Sequence, residues 1–207
     1  MRSRLVAAAV PLVAALALLA QGTALAAAKG VTISNFMFSP TPVKVKLGGQ
    51  VKWTNNGPSQ HTTTSDGVND GSGIPGLGLW ASGPLNVSST FTQTFTAAGG
   101  FPYHCSIHTF MHGVVNVPMT ASPKSGSVST TFTLKWATAP PTGGLVFDVQ
   151  EKAPGGKYGT IDNGVTTLST SFSPSNSGTY MFRARERNSS TGLSSSYSPA
   201  LKVVVSP

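Results

Sequence analysis

The sequence predicts an all-β protein, and three observations lead to that fold class. Only 10% of the 207 residues are charged, while Gly and Pro number 23 and 15; an average soluble domain has about 25% charged residues. Short runs rich in Val, Phe and Thr are separated by Gly and Pro turns, which is typical of strands. No run after residue 28 has the apolar period of an amphipathic helix. The length allows one or two domains, and a hydrophobic content of 39% is enough to form their cores.

Residues 1–28 have the composition of a secretory signal peptide. Arg2 and Arg4 precede an apolar run at residues 5–20, and Ala-x-Ala triplets follow at residues 24–28. A membrane anchor is the alternative, but this run is shorter than the ~20 apolar residues that cross a bilayer. We therefore expect an exported protein that is secreted or resides in the cell envelope, outside the cytoplasm.

The first half of the mature chain, residues 29–119, contains five predicted strands. They are residues 31–36, 43–47, 51–54, 90–95 and 113–117. Residues 66–84 are crowded with Gly and Pro, which predicts a loop. Trp53 lies within the third strand, and we expect it to fill a core.

The second half, residues 120–207, contains another set of predicted strands after a linker at residues 118–123. These strands are residues 131–137, 145–150, 178–185 and 201–205. Turn residues recur often enough between them to indicate a second, smaller β-sandwich.

The residues that can carry chemistry are confined to the first half. All four histidines and the single cysteine fall in one stretch: His61, His104, Cys105, His108 and His112. A lone thiol in an exported protein has three explanations, which are an intermolecular disulfide, an inert buried thiol or a metal ligand. Cys105, His108 and Met111 recur every three residues, as one tight loop would present them. Thiolate, imidazole and thioether donors select copper, and His61 would complete a His₂Cys site with an axial Met.

These residues also carry a resemblance to a known family. Cys-x-x-His-x-x-Met at residues 105–111 follows Tyr-His and precedes Gly-x-Val-x-Val at residues 113–117. This pattern resembles the ligand loop of the cupredoxins, with the amicyanin type of spacing, and the resemblance extends over residues 31–117. It implies a Greek-key β-sandwich or barrel at residues 29–119. It also implies that His61, Cys105, His108 and Met111 bind one type 1 (blue) copper.

Two histidines and one loop lie outside the ligand set. Because neighbouring side chains on a strand point to opposite faces, His104 is expected near the site or exposed rather than bound to the metal. His112 is expected to be solvated. The family implies an apolar patch around the ring edge of His108. Residues 73–80 either contribute to that patch or fold their own apolar side chains onto the end of the barrel.

Residues 120–207 resemble a fibronectin type III domain, which is an immunoglobulin-like β-sandwich. The resemblance is carried by Trp136, by the Tyr-x-Phe-Arg-x-Arg pattern at residues 180–185, and by the closing residues 192–198. It implies a core role for Trp136 and a tyrosine-corner hydrogen bond for Tyr180. Three roles are expected for this module. It acts as a spacer for the copper domain, it docks to a partner, a cell-wall polymer or a polysaccharide, or it packs against the copper domain.

The cupredoxin resemblance implies an exported one-electron carrier that cycles between Cu(I) and Cu(II). Its partner would be a redox protein or a membrane oxidase or reductase. Because basic residues outnumber acidic ones by 14 to 6, an acidic docking surface is expected on that partner. The alternative is an extracytoplasmic copper-binding or delivery protein without a redox partner.

Several other classes of function are disfavoured. The histidines are too few for a multicopper oxidase or a nitrite reductase, and no serine has a His/Asp setting, so we expect a non-enzyme. The basic residues are scattered, and the alternating Arg183, Arg185 and Arg187 fit one solvated strand face, so no nucleic-acid partner is expected. A monomer is the default expectation.

Overall fold

The structure is a computed structural model that describes residues 27–67 and 75–207. The predicted signal peptide, residues 1–28, lies outside the described residues except for its last two positions. In the described ranges the chain forms strands and turns but no helix, which confirms the predicted all-β class. Accordingly, these ranges contain no helix with the length and apolarity that crossing a membrane requires.

Within residues 27–67 and 75–119, eight strands form two four-stranded sheets. They are β1 (Lys29–Ser34), β2 (Met37–Ser39), β3 (Val43–Lys44), β4 (Gln50–Asn55), β5 (Thr64–Ser65), β6 (Thr90–Thr94), β7 (Gly99–His104) and β8 (His112–Val117). One sheet has the order β2-β1-β4-β6 and the other the order β3-β8-β7-β5. Aromatic side chains fill the space between the two sheets, since the ring centroids of Trp53 and Tyr103 lie 5.4 Å apart.

Eight further strands lie in the second half and form a three-stranded and a five-stranded sheet. They are β9 (Thr120–Ser122), β10 (Ser125–Ser127), β11 (Phe132–Lys135), β12 (Leu145–Lys152), β13 (Tyr158–Val165), β14 (Ser169–Phe172), β15 (Gly178–Asn188) and β16 (Leu201–Ser206). The sheet orders are β14-β11-β9 and β10-β16-β15-β12-β13. The ring of Phe172 in β14 packs 4.9 Å from that of Phe182 in β15, so the two sheets share a core.

The strand boundaries differ from the expectation at several places. The first predicted strand ends at Ser34, because Asn35 and Phe36 form the turn into β2. The predicted linker contains a strand, β9, which pairs with β11. The pattern missed β7, whose two glycines and one proline have low strand propensity, although β7 pairs with strands on both sides.

The two tryptophans predicted for the cores are fully buried. Strand β4 alternates strictly, so that Val51, Trp53 and Asn55 face inward while Lys52 is exposed. Trp53 is 0% exposed and is surrounded by other aromatic rings. Trp136 is also 0% exposed, and its indole N–H donates to the carbonyl of Thr167 at 2.7 Å.

The second half contacts the first through backbone hydrogen bonds close to β7. The amide of Ala98 donates to the carbonyl of Trp136 at 2.7 Å, and the amide of Thr138 donates to the carbonyl of Thr96 at 2.8 Å. A β-bridge also joins Gly100 in β7 to Ser196. The residues after 120 therefore lie against the strand that leads to Cys105.

Candidate metal centre

Residues 105–111 form a tight loop between the adjacent strands β7 and β8. The amide of Met111 donates to the carbonyl of His108 at 2.9 Å, and the amide of Cys105 donates to the carbonyl of Met111 at 3.1 Å. These two bonds close the loop on itself. The three residues that recur in the sequence therefore lie on one short, backbone-bonded segment.

His61 reaches the same place from the segment that precedes β5, the strand that pairs with β7. Its amide donates to the carbonyl of Leu85 at 3.2 Å, and the amide of Leu85 donates back at 2.7 Å. Asn55, which is fully buried, supports the turn before it, since its side-chain amide donates to the carbonyls of Ser59 and Leu85 at 2.8 and 2.9 Å. Asn55 was not predicted as a site residue; a polar residue on the buried face of β4 is the signal that could have found it.

The donor atoms of His61, Cys105 and His108 converge at this place. The sulfur of Cys105 lies 3.8 Å from Nδ1 of His61 and 3.7 Å from Nδ1 of His108, and the two nitrogens are 3.2 Å apart. Bonds of about 2.0–2.1 Å to nitrogen and about 2.3 Å to sulfur, as in zinc sites, would separate two ligand atoms of one ion by about 3.3–3.8 Å. The two sulfur–nitrogen distances lie in this range, and the nitrogen–nitrogen distance is slightly shorter. A small adjustment of the imidazoles therefore lets the three side chains hold one metal ion, and their soft donor set fits copper.

The surroundings of the cluster favour metal binding. His61 and Cys105 are buried, and His108 is half-buried. Burial, and secondly the neighbouring His108, lower the pKa of His61, which keeps its imidazole in the neutral form that coordinates metals. The amide of Thr62 donates to the sulfur of Cys105 at 3.3 Å, an interaction that lowers the cost of a buried thiolate.

A hydroxyl bridge also holds the start of the ligand loop. The amide of Ser106 donates to Oγ of Thr62 at 2.7 Å, so Thr62 contacts two successive residues of the loop. Thr62 was not predicted as a site residue, and only its position next to His61 in the sequence indicates a role near the site. The fourth predicted ligand, Met111, has a buried side chain at the end of the same loop.

His104 is buried rather than exposed. Its side chain is 0% exposed, and its Nδ1 lies 2.8 Å from Oδ1 of Asp66, whose side chain is also 0% exposed. His104 was not expected to bind the metal, and the cluster of converging donors contains His61, Cys105 and His108 but not His104. Asp66 was not predicted as a site residue, because it lies at the start of the predicted loop. Only two acidic residues, Asp66 and Asp70, precede residue 148, and this rarity is the signal that could have found it. His112 is exposed, as expected.

An apolar surface surrounds the half-buried ring of His108. It is formed by Phe36 and Phe110, whose ring centroids lie 4.8 and 6.2 Å from that of His108, and by the neighbouring Ile107. These side chains are 48%, 68% and 46% exposed, and we call the three residues the apolar rim. Residues 73–80 were one candidate for this surface, but the described part of that loop, residues 75–80, packs Trp80 inward against the core aromatic residues.

Comparisons with known proteins identify copper-binding relatives of the first half. Residues 25–118 match the family of copper-binding proteins that includes plastocyanin and azurin. Amicyanin-alpha of Methylorubrum extorquens is 35% identical over 88 residues, which are 42% of this chain and 69% of that protein. Amicyanin of Paracoccus denitrificans is 30% identical over 87 residues, or 42% of this chain and 63% of that protein. Among solved structures, a purple cupredoxin from Nitrosopumilus maritimus is 29% identical and covers 43% of this chain and 98% of its own, with a TM-score of 0.39.

Proposed function

The chain belongs to the plastocyanin/azurin family of copper-binding proteins, and from that premise we propose that it is a one-electron carrier. The observation that carries this proposal is the cluster of His61, Cys105 and His108, whose donor atoms all lie within 4.8 Å of one another. We assign these three residues as copper ligands. We assign Met111 as a weak axial ligand, because it ends the same loop three residues after His108.

Bound copper supplies a couple between Cu(I) and Cu(II), and the residues of the chain hold the donors for both states. His61 is fixed by its backbone pairing with Leu85, and Cys105 is fixed by the hydrogen bonds that close its loop. Because backbone bonds rather than the metal set these positions, little movement of the donors accompanies the gain or loss of an electron. The Thr62 amide withdraws charge from the Cys105 sulfur and is therefore a lever on the reduction potential.

Electron transfer would use the side of the site where His108 is half-buried. The apolar rim around this ring can pack against a partner and exclude water from the contact. The partner in this proposal is a redox protein or a membrane oxidase or reductase. The net positive charge of the chain favours a partner with an acidic surface. Export through residues 1–28 belongs to the same proposal.

We propose that residues 29–119 form the copper domain and that residues 120–207 form a fibronectin type III-like module docked on it. The hydroxyl of Tyr180 donates to the carbonyl of Asn176 at 3.1 Å, as a tyrosine corner requires, and the buried Trp136 supports a sandwich core. The backbone bonds of Ala98 and Gly100 to the second half favour docking over free spacing. A contact of this module with a cell-wall polymer or polysaccharide stays a prediction.

A visible absorption spectrum of residues 29–207 loaded with Cu(II) tests the proposed function. We expect an intense blue thiolate-to-copper band that a mild reductant bleaches and reoxidation restores. Cys105→Ser should lack the band, whereas His112→Ala, at an exposed histidine outside the cluster, should keep it. A colourless complex would contradict the type 1 assignment. A complex that chelators strip readily would favour copper delivery instead.

A further inference from the structure

Phe36 lies in a turn whose backbone conformation aromatic residues avoid. Because Ser34 pairs with Met37, the turn between β1 and β2 has two central residues, Asn35 and Phe36. Both have positive φ values, 44° and 60°. Turns of this kind normally contain Asn-Gly, since a Cβ atom is strained in the left-handed region. A glycine at position 36 would form the same turn without that strain.

Burial in a core does not compensate this strain. The side chain of Phe36 is 48% exposed, so much of its apolar surface remains in water. A strained conformation that persists without full burial is typical of positions that serve a site. The contacts of the ring therefore have to explain why an aromatic residue occupies this position.

The ring of Phe36 contacts both histidines of the cluster. Its centroid lies 4.8 Å from that of His108 at an interplanar angle of 74°, and 5.8 Å from that of His61 at 73°. Both are edge-to-face arrangements, which are favourable for aromatic pairs. The ring also lies 6.1 Å from Phe110 in the ligand loop. One side chain from a distant turn thus covers the two imidazoles.

We propose that Phe36 is a positioning residue of the copper site, which its strained turn holds over the imidazoles of His61 and His108. The ring restricts rotation of the half-buried His108 and limits the access of water and small anions to the donors. This inference rests on the proposed function, because it assigns the two histidines as ligands.

The proposal predicts effects of opposite direction on the fold and on the site. Phe36→Gly relieves the strain, so the metal-free protein should unfold at the same or a higher temperature than the wild type. The same variant uncovers the imidazoles, so its copper should leave faster. Asn35→Gly relieves strain in the same turn but keeps the ring, and Phe36→Tyr keeps the ring with a conservative change. Both control variants should retain the copper as the wild type does.

The experiment uses residues 29–207 and compares the four proteins. The rate of Cu(II) transfer to excess EDTA should rise by about tenfold or more in Phe36→Gly, which is the size of effect expected when a group supporting a metal ligand is lost. Azide should change the electron paramagnetic resonance spectrum of this variant at concentrations that leave the wild type unchanged. Thermal unfolding of the metal-free proteins provides the readout that does not depend on copper.

Two results would overturn the proposal, and they differ from failure of the proposed function. Unchanged copper transfer and azide response in Phe36→Gly would mean that the ring does not position the ligands. A lower unfolding temperature of the metal-free variant, in parallel with faster transfer, would mean that Phe36 only supports the fold. If the wild type lacks the blue band, the proposed function fails and this inference fails with it.

Discussion

Gly100 in β7 and Ser196 exchange two backbone hydrogen bonds, each 2.9 Å long, and these bonds join the two halves of the chain. Gly100 lies five residues before Cys105, on the strand that carries the cysteine to the cluster. The approach depends on small residues, because a Cβ atom at Gly99 would lie 2.7 Å from Oγ of Ser195. The second half is therefore in direct contact with the strand that leads to the candidate metal centre.

Gly99→Ala should weaken this contact. The new methyl group would also lie 2.8 Å from the ring of Phe101, and Ser195 has little freedom to move because its hydroxyl accepts from the amide of Glu186 and donates to the carbonyl of Ser196. We expect a loss of about 1–3 kcal/mol in the free energy of unfolding, as for overpacked cores, measured by urea denaturation.

The matched control for that substitution is Gly159→Ala. Gly159 is exposed in β13, and an added Cβ atom would meet nothing within 4 Å. Its free energy of unfolding should stay close to that of the wild type. Equal effects of the two substitutions would contradict the view that Gly99 is required for close contact between the halves.

Glu186 should make stability depend on pH. Its side chain lines a cleft of about 200 Å³ between the halves together with residues such as Trp80, Phe101 and Leu145, and the lining contains no other charged residue. Burial raises the pKa of this carboxyl to about 7, so the folded state binds a proton that the unfolded state has lost above about pH 4.5. The free energy of unfolding should therefore fall as the pH rises from about 4.5 to 7, by at most about 3 kcal/mol.

Glu186→Gln tests this dependence. The variant should match the wild type near pH 4 and should be more stable than it at pH 8, as measured by urea denaturation at both pH values. Glu151→Gln provides the comparison, because burial also raises the pKa of Glu151 but its side chain is more exposed. If the free energy of unfolding depends on pH in the same way in the wild type and in Glu186→Gln, burial does not raise the pKa of the Glu186 carboxyl.

Asp66→Ala should destabilise the protein through the loss of a buried pair. Removal of the carboxylate leaves His104 without the partner that lies 2.8 Å from its Nδ1, in a setting where both side chains are 0% exposed. The expected loss is about 1–3 kcal/mol in the free energy of unfolding of the metal-free protein, as for a buried polar group that loses a hydrogen-bond partner. His112→Ala, at an exposed histidine, should change it by less than about 0.5 kcal/mol. A similar small change in Asp66→Ala would mean that the pair contributes little.

Tyr180→Phe should remove the hydrogen bonds of one hydroxyl while keeping the ring. That hydroxyl donates to the carbonyl of Asn176 at 3.1 Å and accepts from its amide at 3.3 Å. We expect a loss of about 1 kcal/mol in stability, measured by thermal unfolding. Tyr158→Phe keeps the ring that packs 3.9 Å from the guanidinium of Arg183 and should have no such effect. If both variants behave as the wild type does, the corner hydrogen bond is not what stabilises this end of the sandwich.

Most strands with clear alternation or runs of β-branched residues could be predicted from the sequence, although β13, which contains Thr160 and Ile161, was also missed. Strand β4 alternates and was predicted, whereas β7 contains Gly99, Gly100 and Pro102 and was missed. Membership of the copper-binding family bears out the cupredoxin resemblance of the first half. The fibronectin type III-like assignment of residues 120–207 and the domain boundary at residue 119 stay predictions.

The sequence by itself determined the class of the fold and predicted most of the proposed donor set, because strand patterns and the spacing within one loop are short-range features. Cys105, His108 and Met111 are spaced within one loop, and the histidine outside the stretch that contains them is His61. Spacing and donor chemistry are enough to indicate copper when the residues are this close along the chain.

Only the tertiary structure decided which distant residues support those donors. The contact of Phe36 with His108, the pair of Asp66 with His104, and the backbone bonds between the two halves all join residues far apart along the chain. Such contacts depend on how strands pair and where turns end. Local periodicity does not determine which strands pair or in which register, because many registers place the same residues on a buried face.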